Sequence, residues 1–325
     1  MTNHRYDALI QGLARNASDE AMAPYIRSDA GASFIVRSLT KVQERVQETL
    51  YSELMAQKVF PVRLNDGAGL EEIEYYREDK TGEFKLIGPR STDLPSSDTG
   101  LTQYTMDVGN YGGSYGWSQI ELEKALRSGM PLSERKAMAA RRAAETKLDK
   151  VALSDGDEDN ARIKGVFGSA LQDATSLLTK NWASATETQI LDDVQAILKK
   201  AYDGTNGEIA PDTLLLPTAE FGILAYKVRA NTDTTLKEII ESKFGVKLYR
   251  SSRLNSMTST VNSVSAKNVA LAYKNDPMVL EMVIPRPFQQ LPVQQDGIMY
   301  NVPCLLDFAG IFNYLPISMA FGELT

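Results

Sequence analysis

Apolar residues change their spacing several times along this 325-residue chain, and each change marks an expected element. Over the first thirty or so residues no spacing persists. Asn16, Ser18, Pro24, Ser28 and Gly31 interrupt whatever begins, so residues 1–32 are expected to form an arm. From Ser33 onward, Ile35, Leu39, Val42, Val46, Leu50 and Leu54 recur three or four residues apart, opposite Lys41, Glu44, Arg45 and Glu48. That pattern predicts an amphipathic helix over 33–57, stopped before Pro61.

Extended patterns follow. Val62-Arg63-Leu64 and Ile73-Glu74-Tyr75 alternate as strands do, Asp79-Lys80-Thr81-Gly82 carries turn residues, and Glu83 to Ile87 resumes the alternation. After a Gly-, Pro-, Ser- and Asp-rich passage from Gly88 to Gly100, a second run covers Leu101 to Val108. It leads into Gly109-Asn110-Tyr111-Gly112-Gly113-Ser114-Tyr115-Gly116-Trp117, expected as aromatic packing with glycines at tight turns. So long and polar an excursion has little to bury and needs support from outside itself. Some twenty residues out and twenty back would reach roughly 60 Å.

Helical spacing returns at Gln119–Arg127 and, more strongly, from Pro131 to about Leu153. In the second segment Ser133 can cap, Glu134 suits the first turn, and Met138 with the five alanines between Ala137 and Ala144 favours helix; its polar side is basic. Ser154 to Asn160 is expected as a surface turn, since its carboxylates lack the spacing of a calcium loop. Beyond it, Thr186-x-x-Gln189 and Thr235-x-x-Glu238 are capping boxes. Thr213–Leu216 is a buried strand, Pro217 opens a helix carrying Phe221, Leu224 and Val228, and Val246–Tyr249 is again a strand. This alternation describes an α/β unit. The tail returns to strands broken by Pro277, Pro285, Pro287, Pro292, Pro303 and Pro316, placements that suggest edge strands and kinked connections.

Composition then narrows the chemistry. With one cysteine, Cys304, and one histidine, His4, the chain cannot assemble an internal disulfide, a zinc finger or a His-based metalloprotease site. A Ser-His-Asp triad and cysteine–histidine catalysis are implausible, and Cys304 reads as a small buried hydrophobe. No phosphate loop or Gly-x-Ser-x-Gly elbow occurs, and the glycines of 109–116 have the wrong spacing for a dinucleotide fingerprint. No enzyme activity and no cofactor or metal are therefore expected. A net charge of −7 argues against a nucleic-acid reader. Its acidic excess concentrates between Arg63 and Asp107, fitting either a solvated ribbon or an acidic arm on another copy's basic surface. No stretch approaches the roughly 20 apolar residues of a membrane-spanning helix, and the start lacks a secretory core, so folding in a cytoplasm is expected.

The order of elements resembles the Hong Kong 97-type major capsid fold, in its encapsulin-like branch. Specific phrases carry the likeness: Phe34-Ile-Val-Arg37-Ser-Leu39 through Tyr51-Ser-Glu-Leu54 to Pro61-Val62, and Tyr115-Gly-Trp117-Ser-Gln-Ile-Glu121-Leu122. So do Arg135-Lys136-Ala137 through Leu148-Asp149, Leu214-Leu-Leu216-Pro217-Thr-Ala-Glu-Phe221, Tyr273-Lys274-x-Asp276-Pro277, Pro285-x-Pro287-Phe288 and Val302-Pro303-Cys304.

That resemblance implies an α+β fold with an N-terminal arm at 1–32 and a peripheral domain assembled from 33–62, 106–158 and 276–325, with a spine helix at 133–153. It also implies an extended loop, a long β-hairpin, at 63–105, and an axial α/β domain at 159–275. Candidates for contact between subunits are Glu71, Glu72, Glu74, Tyr75, Arg77, Lys80, Lys85 and Arg90 on the loop, with Arg135, Arg141 and Arg142 on the spine helix. The implied function is self-assembly through pentamers and hexamers into an icosahedral phage head. That head would hold double-stranded DNA without sequence specificity, with a portal and possible cement or scaffolding proteins as partners and assembly in the host bacterial cytoplasm. An encapsulin-like nanocompartment shell shares the fold and stays open as an alternative, as does a soluble α/β enzyme with the excursion as a lid.

Overall fold

A computed structural model describes residues 54–64, 67–86, 96–128 and 132–324, apart from 170, 173, 176, 180 and 231. The arm expected at 1–32 and all but the last turn of the helix expected at 33–57 lie outside the described residues. In chain order the elements begin with α1 (Ala56–Val59), β1 (Val62–Leu64), β2 (Glu72–Thr81), β3 (Asp98–Asp107), β4 (Gly109–Ser118), α2 (Gln119–Ser128) and α3 (Leu132–Ala152). Next come α4 (Glu187–Gly204), β5 (Thr213–Pro217), α5 (Thr218–Tyr226), α6 (Leu236–Ile239, prolonged by a π turn), β6 (Lys247–Ser251) and β7 (Met257–Ser259). The chain closes with β8 (Val264–Tyr273), β9 (Leu280–Ile284), β10 (Arg286–Gln290), β11 (Gln294–Asp296), β12 (Met299–Phe308), β13 (Gly310–Asn313) and β14 (Ala320–Leu324).

Local chemistry sets several of these boundaries. Both capping boxes form: Thr186 and Gln189 satisfy each other's backbone N–H at the start of α4, and Thr235 and Glu238 do so at α6. The π turn after α6 ends on Gly245 at φ 66°, a left-handed position that glycine adopts without a Cβ clash. Pro217 caps α5, which stops at Tyr226, so Val228 falls beyond the helix expected to carry it.

One five-stranded sheet organises the core. β8, flanked by β14 and β5, also pairs β7, and β6 runs parallel to β5 at the edge. All five residues of β5 are buried, because both faces of this sheet are covered. Leu214, Leu216, Ala270, Ala272 and Ala320 face α4, α5 and α6, packing on Ile190, Val194, Ile197, Leu224 and Leu236. Leu215, Val269, Leu271, Tyr273 and Phe321 face the other way, onto Leu148, Val151 and Ala152 of α3 and onto Phe167, Met282 and Phe308. β14 thus brings a strand from beyond residue 275 into the α/β sheet.

The remaining sheets frame the extended loop. β9 pairs β1 and β13, and β12 pairs β4 on one edge and β10 with β11 on the other. Three expectations are corrected here. Gly109–Trp117 makes no tight turns: β4 matches β12 over ten register pairs, and its glycines permit close approach. A Cβ at Gly116 would lie 2.6 Å from the Tyr300 carbonyl oxygen, and one at Gly109 would lie 2.5 Å from Ile163 Cδ1. Pro303 sits in the central strand β12, not at an edge. Its carbonyl accepts from Leu291 N–H, so its missing donor faces the gap between β10 and β11, where there is no ladder bond to lose. Finally, Asp79–Gly82 is not a turn: β2 runs through to Thr81, matched by Gly100, Thr99 and Asp98 on β3. Cross-strand pairing that starts at Ile73 and Met106 overrides the local turn residues.

One carboxylate joins three distant segments. Asp149 of α3 is 3 % exposed; its Oδ1 accepts from the backbone N–H groups of Met55 (2.9 Å) and Ala56 (3.0 Å), and its Oδ2 faces Arg253 Nε at 3.2 Å. Removing it leaves two backbone donors and a half-buried guanidinium without their acceptor. Asp149→Ala is expected to cost about 3 kcal/mol and Asp149→Asn less, measured as the shift in urea midpoint of the full chain.

Candidate functional site

The feature without support of its own is the β2–β3 hairpin. Ten register pairs, from Glu72–Asp107 to Thr81–Asp98, make its paired part about 33 Å long. Opposite residues of an antiparallel pair share a face, so Ile73, Tyr75 and Arg77 line up with Met106, Tyr104 and Thr102. Near the body this face is apolar. Tyr75 stacks on Tyr104 (5.3 Å between centroids) and meets Phe312 (5.4 Å) and Tyr314 (5.1 Å), over a cluster of Met106, Val108, Val283, Ala309 and Phe312. Burial raises the Tyr75 hydroxyl.

The next residue on this face, Arg77, caps the Tyr104 ring with its guanidinium at 5.3 Å. Farther out, Tyr76, Glu78, Lys80 and Leu101 are exposed, and Phe84 and Leu86 are 96 % and 104 % exposed. Two such side chains at the end of a ribbon are unusual in a protein that works alone, because isolated apolar exposure of this degree marks a contact surface when it is grouped.

The root of the hairpin is clamped. Arg63 of β1 meets Glu281 of β9 at 2.5 Å and lies over Phe312 at 5.5 Å, and the Tyr314 hydroxyl donates to the same carboxylate. Burial, then the hydrogen bond to Glu281, holds the Tyr314 hydroxyl well above its ordinary range. These residues were not singled out from sequence as a group, since Arg63, Glu281 and Tyr314 are remote along the chain and the pairing of β9 with β1 on one side and β13 on the other unites them.

The expected contact residues are dispersed. Glu71 and Glu74 are exposed at the root, and Glu72 faces Arg162 at 3.5 Å. Tyr75 is committed to the body, Lys80 lies 3.9 Å from Glu78, Lys85 lies 3.7 Å from Glu83, and Arg90 falls outside the described residues. On α3, Arg135 and Arg142 are partly buried, and Arg141 pairs with Glu145 at 2.9 Å. Much of the basic side of α3 is neutralised within the chain: Lys136 contacts the Gly116 carbonyl and Glu121, Lys147 contacts Asp157, and Lys150 contacts Glu158.

Ser154–Asn160 is a turn with Glu158 and Asp159 exposed, as expected, but Asp157 within it is not at the surface. Its side chain is buried, accepting from Tyr111 OH at 2.5 Å and Lys147 Nζ at 2.7 Å. Burial pushes this carboxyl up, but the hydrogen bonds from Lys147 and Tyr111 outweigh it and hold the group below its usual range. Gly165 and Gly168 pack so closely on the Ser154 and Asp155 carbonyls that the segment is built into the core's edge. Asp193 was also missed. It accepts from Leu178 N–H (2.6 Å), Thr179 N–H and Trp182 Nε1 (3.2 Å), and burial raises its carboxyl despite those donors. The available signal was its position inside the apolar stripe of Ile190, Val194 and Ile197. Cys304 is buried as expected, and burial pushes its thiol up. Among the described residues no group of His, Cys, Asp and Glu is gathered for a metal, and no helix is long and apolar enough to cross a membrane.

A family model described as major capsid protein matches residues 82–323. No curated protein matches the chain. Among solved structures the fold is similar to the capsid of Myoviridae phage XM1, at 17% identity and a TM-score of 0.77, covering 89% of this chain and 98% of that one. It is also similar to chains of Mycobacterium phage Bobi (14% identity, TM-score 0.62, covering 92% and 99%) and Mycobacterium phage Ogopogo (11%, 0.61, covering 90% and 98%). At these identities the shared property is the fold.

The depressed Asp157 carboxyl makes a signed prediction. A lowered folded-state value means the unfolded chain binds the extra proton, so the group stabilises fully above its unfolded value, about 4, and that contribution disappears as pH falls through the folded value. Asp157→Asn is therefore expected to melt below the parent at neutral pH and to converge with it as pH falls below the folded-state value. Paired thermal melts across pH read the difference, and a gap independent of pH would refute the assignment.

Proposed function

This chain belongs to the major capsid protein family, and from that premise we propose that it is the shell subunit of a tailed-phage head, closing through pentamers and hexamers around double-stranded DNA. Its fold is the α+β, Hong Kong 97-type capsid fold, its role is structural, and it assembles into multimers. The observation that carries the finer reading is the hairpin beyond Arg77: a polar ribbon with apolar residues at its far end and no body of its own to lie on. Laid across a neighbouring subunit, it would bury that end and add its area to a repeated interface.

In this reading the hairpin is the extended loop, α3 is the spine of a peripheral domain, and the sheet of β5, β6 and β8 with its helices is the axial domain gathered around five- and six-fold centres. The N-terminal arm, 1–32, would be free to serve assembly, with a portal and possible scaffolding or cement proteins as further partners in the host bacterial cytoplasm. DNA would be held by confinement. The pairing of Lys136, Arg141, Lys147 and Lys150 with carboxylates supports this, since few cations on α3 are left over for phosphate.

Negative-stain microscopy of the purified chain tests the proposal, with angular shells as the expected result. A second variant joins Arg77 to Thr102, which face each other in register, through an Asn-Gly turn. It keeps the Tyr75–Tyr104 root and is expected to melt within a few degrees of the parent yet form no shells. A parent that stays monomeric at every concentration and salt would sink the proposal, as would a shortened chain that still assembles.

A further inference from the structure

Glu281 of β9 is shared by the strand that enters the hairpin and by the rings on which the hairpin sits. It is 8 % exposed, and one oxygen, Oε1, takes both Arg63 Nη1 at 2.5 Å and the Tyr314 hydroxyl. Arg63 is the middle residue of β1, a three-residue edge strand whose flanking Val62 and Leu64 are exposed, so the inward-facing Arg63 is its side-chain anchor. On the other side, the Tyr314 ring meets Tyr75 edge-on at 5.1 Å and 89°. Phe312, opposite Glu281 in register and under the Arg63 guanidinium at 5.5 Å, meets Tyr75 at 5.4 Å. One carboxylate thus couples β1 to β2 through the rings of Phe312 and Tyr314. Desolvation offsets much of the attraction in such a pair, so its net contribution to stability is small beside the geometry it imposes.

We propose that Glu281, acting through Arg63 and Tyr314, is a positioning residue for assembly: it holds the hairpin of the free subunit at one angle, and that angle gives the shell one curvature. The inference rests on the shell reading for its consequence and assigns residues that the reading leaves without a role. Asp149 fixes Met55 and Ala56, ahead of β1, whereas the Glu281 contacts reach the hairpin's own seat at Tyr75. Leverage makes the angle matter. A tilt of about 10° at the root moves the end of a ribbon about 33 Å long by roughly 6 Å, more than the spacing between neighbouring strands. Copies related by one repeated contact close into a single size only if that contact leaves each copy in the same direction.

Arg63→Met with Glu281→Gln removes both charges together, so no buried charge is left unpaired; methionine still covers Phe312, and glutamine still accepts from Tyr314. This double variant is expected to melt within a few degrees of the parent. Spin labels in the full chain read the angle as a distance distribution. One sits at Thr99→Cys on the hairpin and the other, in separate preparations, at Glu208→Cys or Ser265→Cys on the body, all exposed positions. The native cysteine, Cys304, is buried with its thiol raised and stays unlabelled. The parent is expected to give narrow distributions and the double variant distributions about two-fold wider, by the same leverage. Tyr314→Phe keeps the ring and the ion pair and is expected to fall between them. Asp157→Asn controls for stability alone: it is expected to melt below the parent and keep the parent's width. Under negative stain, particles of the double variant are expected to vary in diameter where the parent's are uniform. A double variant with the parent's narrow distances or single particle diameter would overturn the proposal, as would an Asp157→Asn chain that broadens equally. A parent chain that forms no particles would remove the shell reading and leave the distances to decide the angle.

Discussion

The direction in which the hairpin leaves the body depends on how the segment just before it is held, and one buried carboxylate does most of the holding. Asp149 caps the start of α1 from the side of α3, Tyr273 OH reaches the Val59 carbonyl at 2.9 Å, and the Pro61 carbonyl accepts from Met282. β1 then runs alongside β9, and Arg63 locks onto Glu281. Each contact crosses a large sequence distance, so together they fix residues 55–64 against the core more firmly than the short α1 could by its own propensity. A ribbon that must meet a neighbouring copy at a fixed angle needs a root of this kind, because an error of a few degrees there becomes several ångströms at its end.

The hairpin itself is two materials in one element. From Ile73 to Tyr75 its inner face is apolar and belongs to the body; past Arg77, Leu101 apart, the paired strands are largely polar until Phe84 and Leu86. The first half is stable on the folded subunit, and the second is kept from edge-to-edge association by Glu78, Lys80 and Asp98. In the proposed shell, such an arrangement would postpone burial of the ribbon's end until another copy supplies the surface.

Legibility followed the range of the interactions. Capping boxes at Thr186 and Thr235, the buried run of β5 and the alanine-rich α3 are local patterns, and each is present with boundaries within a few residues of expectation. Asp79–Gly82 misled because pairing with β3 outweighs turn chemistry, and Pro303 misled because the neighbouring strand happens to break where its donor is missing. Asp149, Asp157 and Asp193 were hidden for one reason. A carboxylate in sequence reads as solvated, and only its distance from N–H donors and cations elsewhere shows that it is buried. The chemistry that joins this fold is long-range and polar, whereas sequence patterns report short-range apolar order.

Charge follows the same division. The polar side of α3 is basic in sequence, yet Lys136, Lys147 and Lys150 contact carboxylates of their own chain, and Arg141 contacts Glu145 on the same helix. A helix whose cations are already matched contributes rigidity: Lys136 joins α3 to β4 and α2, and Lys147 joins it to the segment carrying Asp157. In the proposed shell, recognition between copies would then fall to shape and apolar area at the end of the hairpin, with a small number of charges for register. Surface ion pairs are weak and screened by salt, whereas apolar burial is not, so a shell built this way gains an attraction that persists as ionic strength changes.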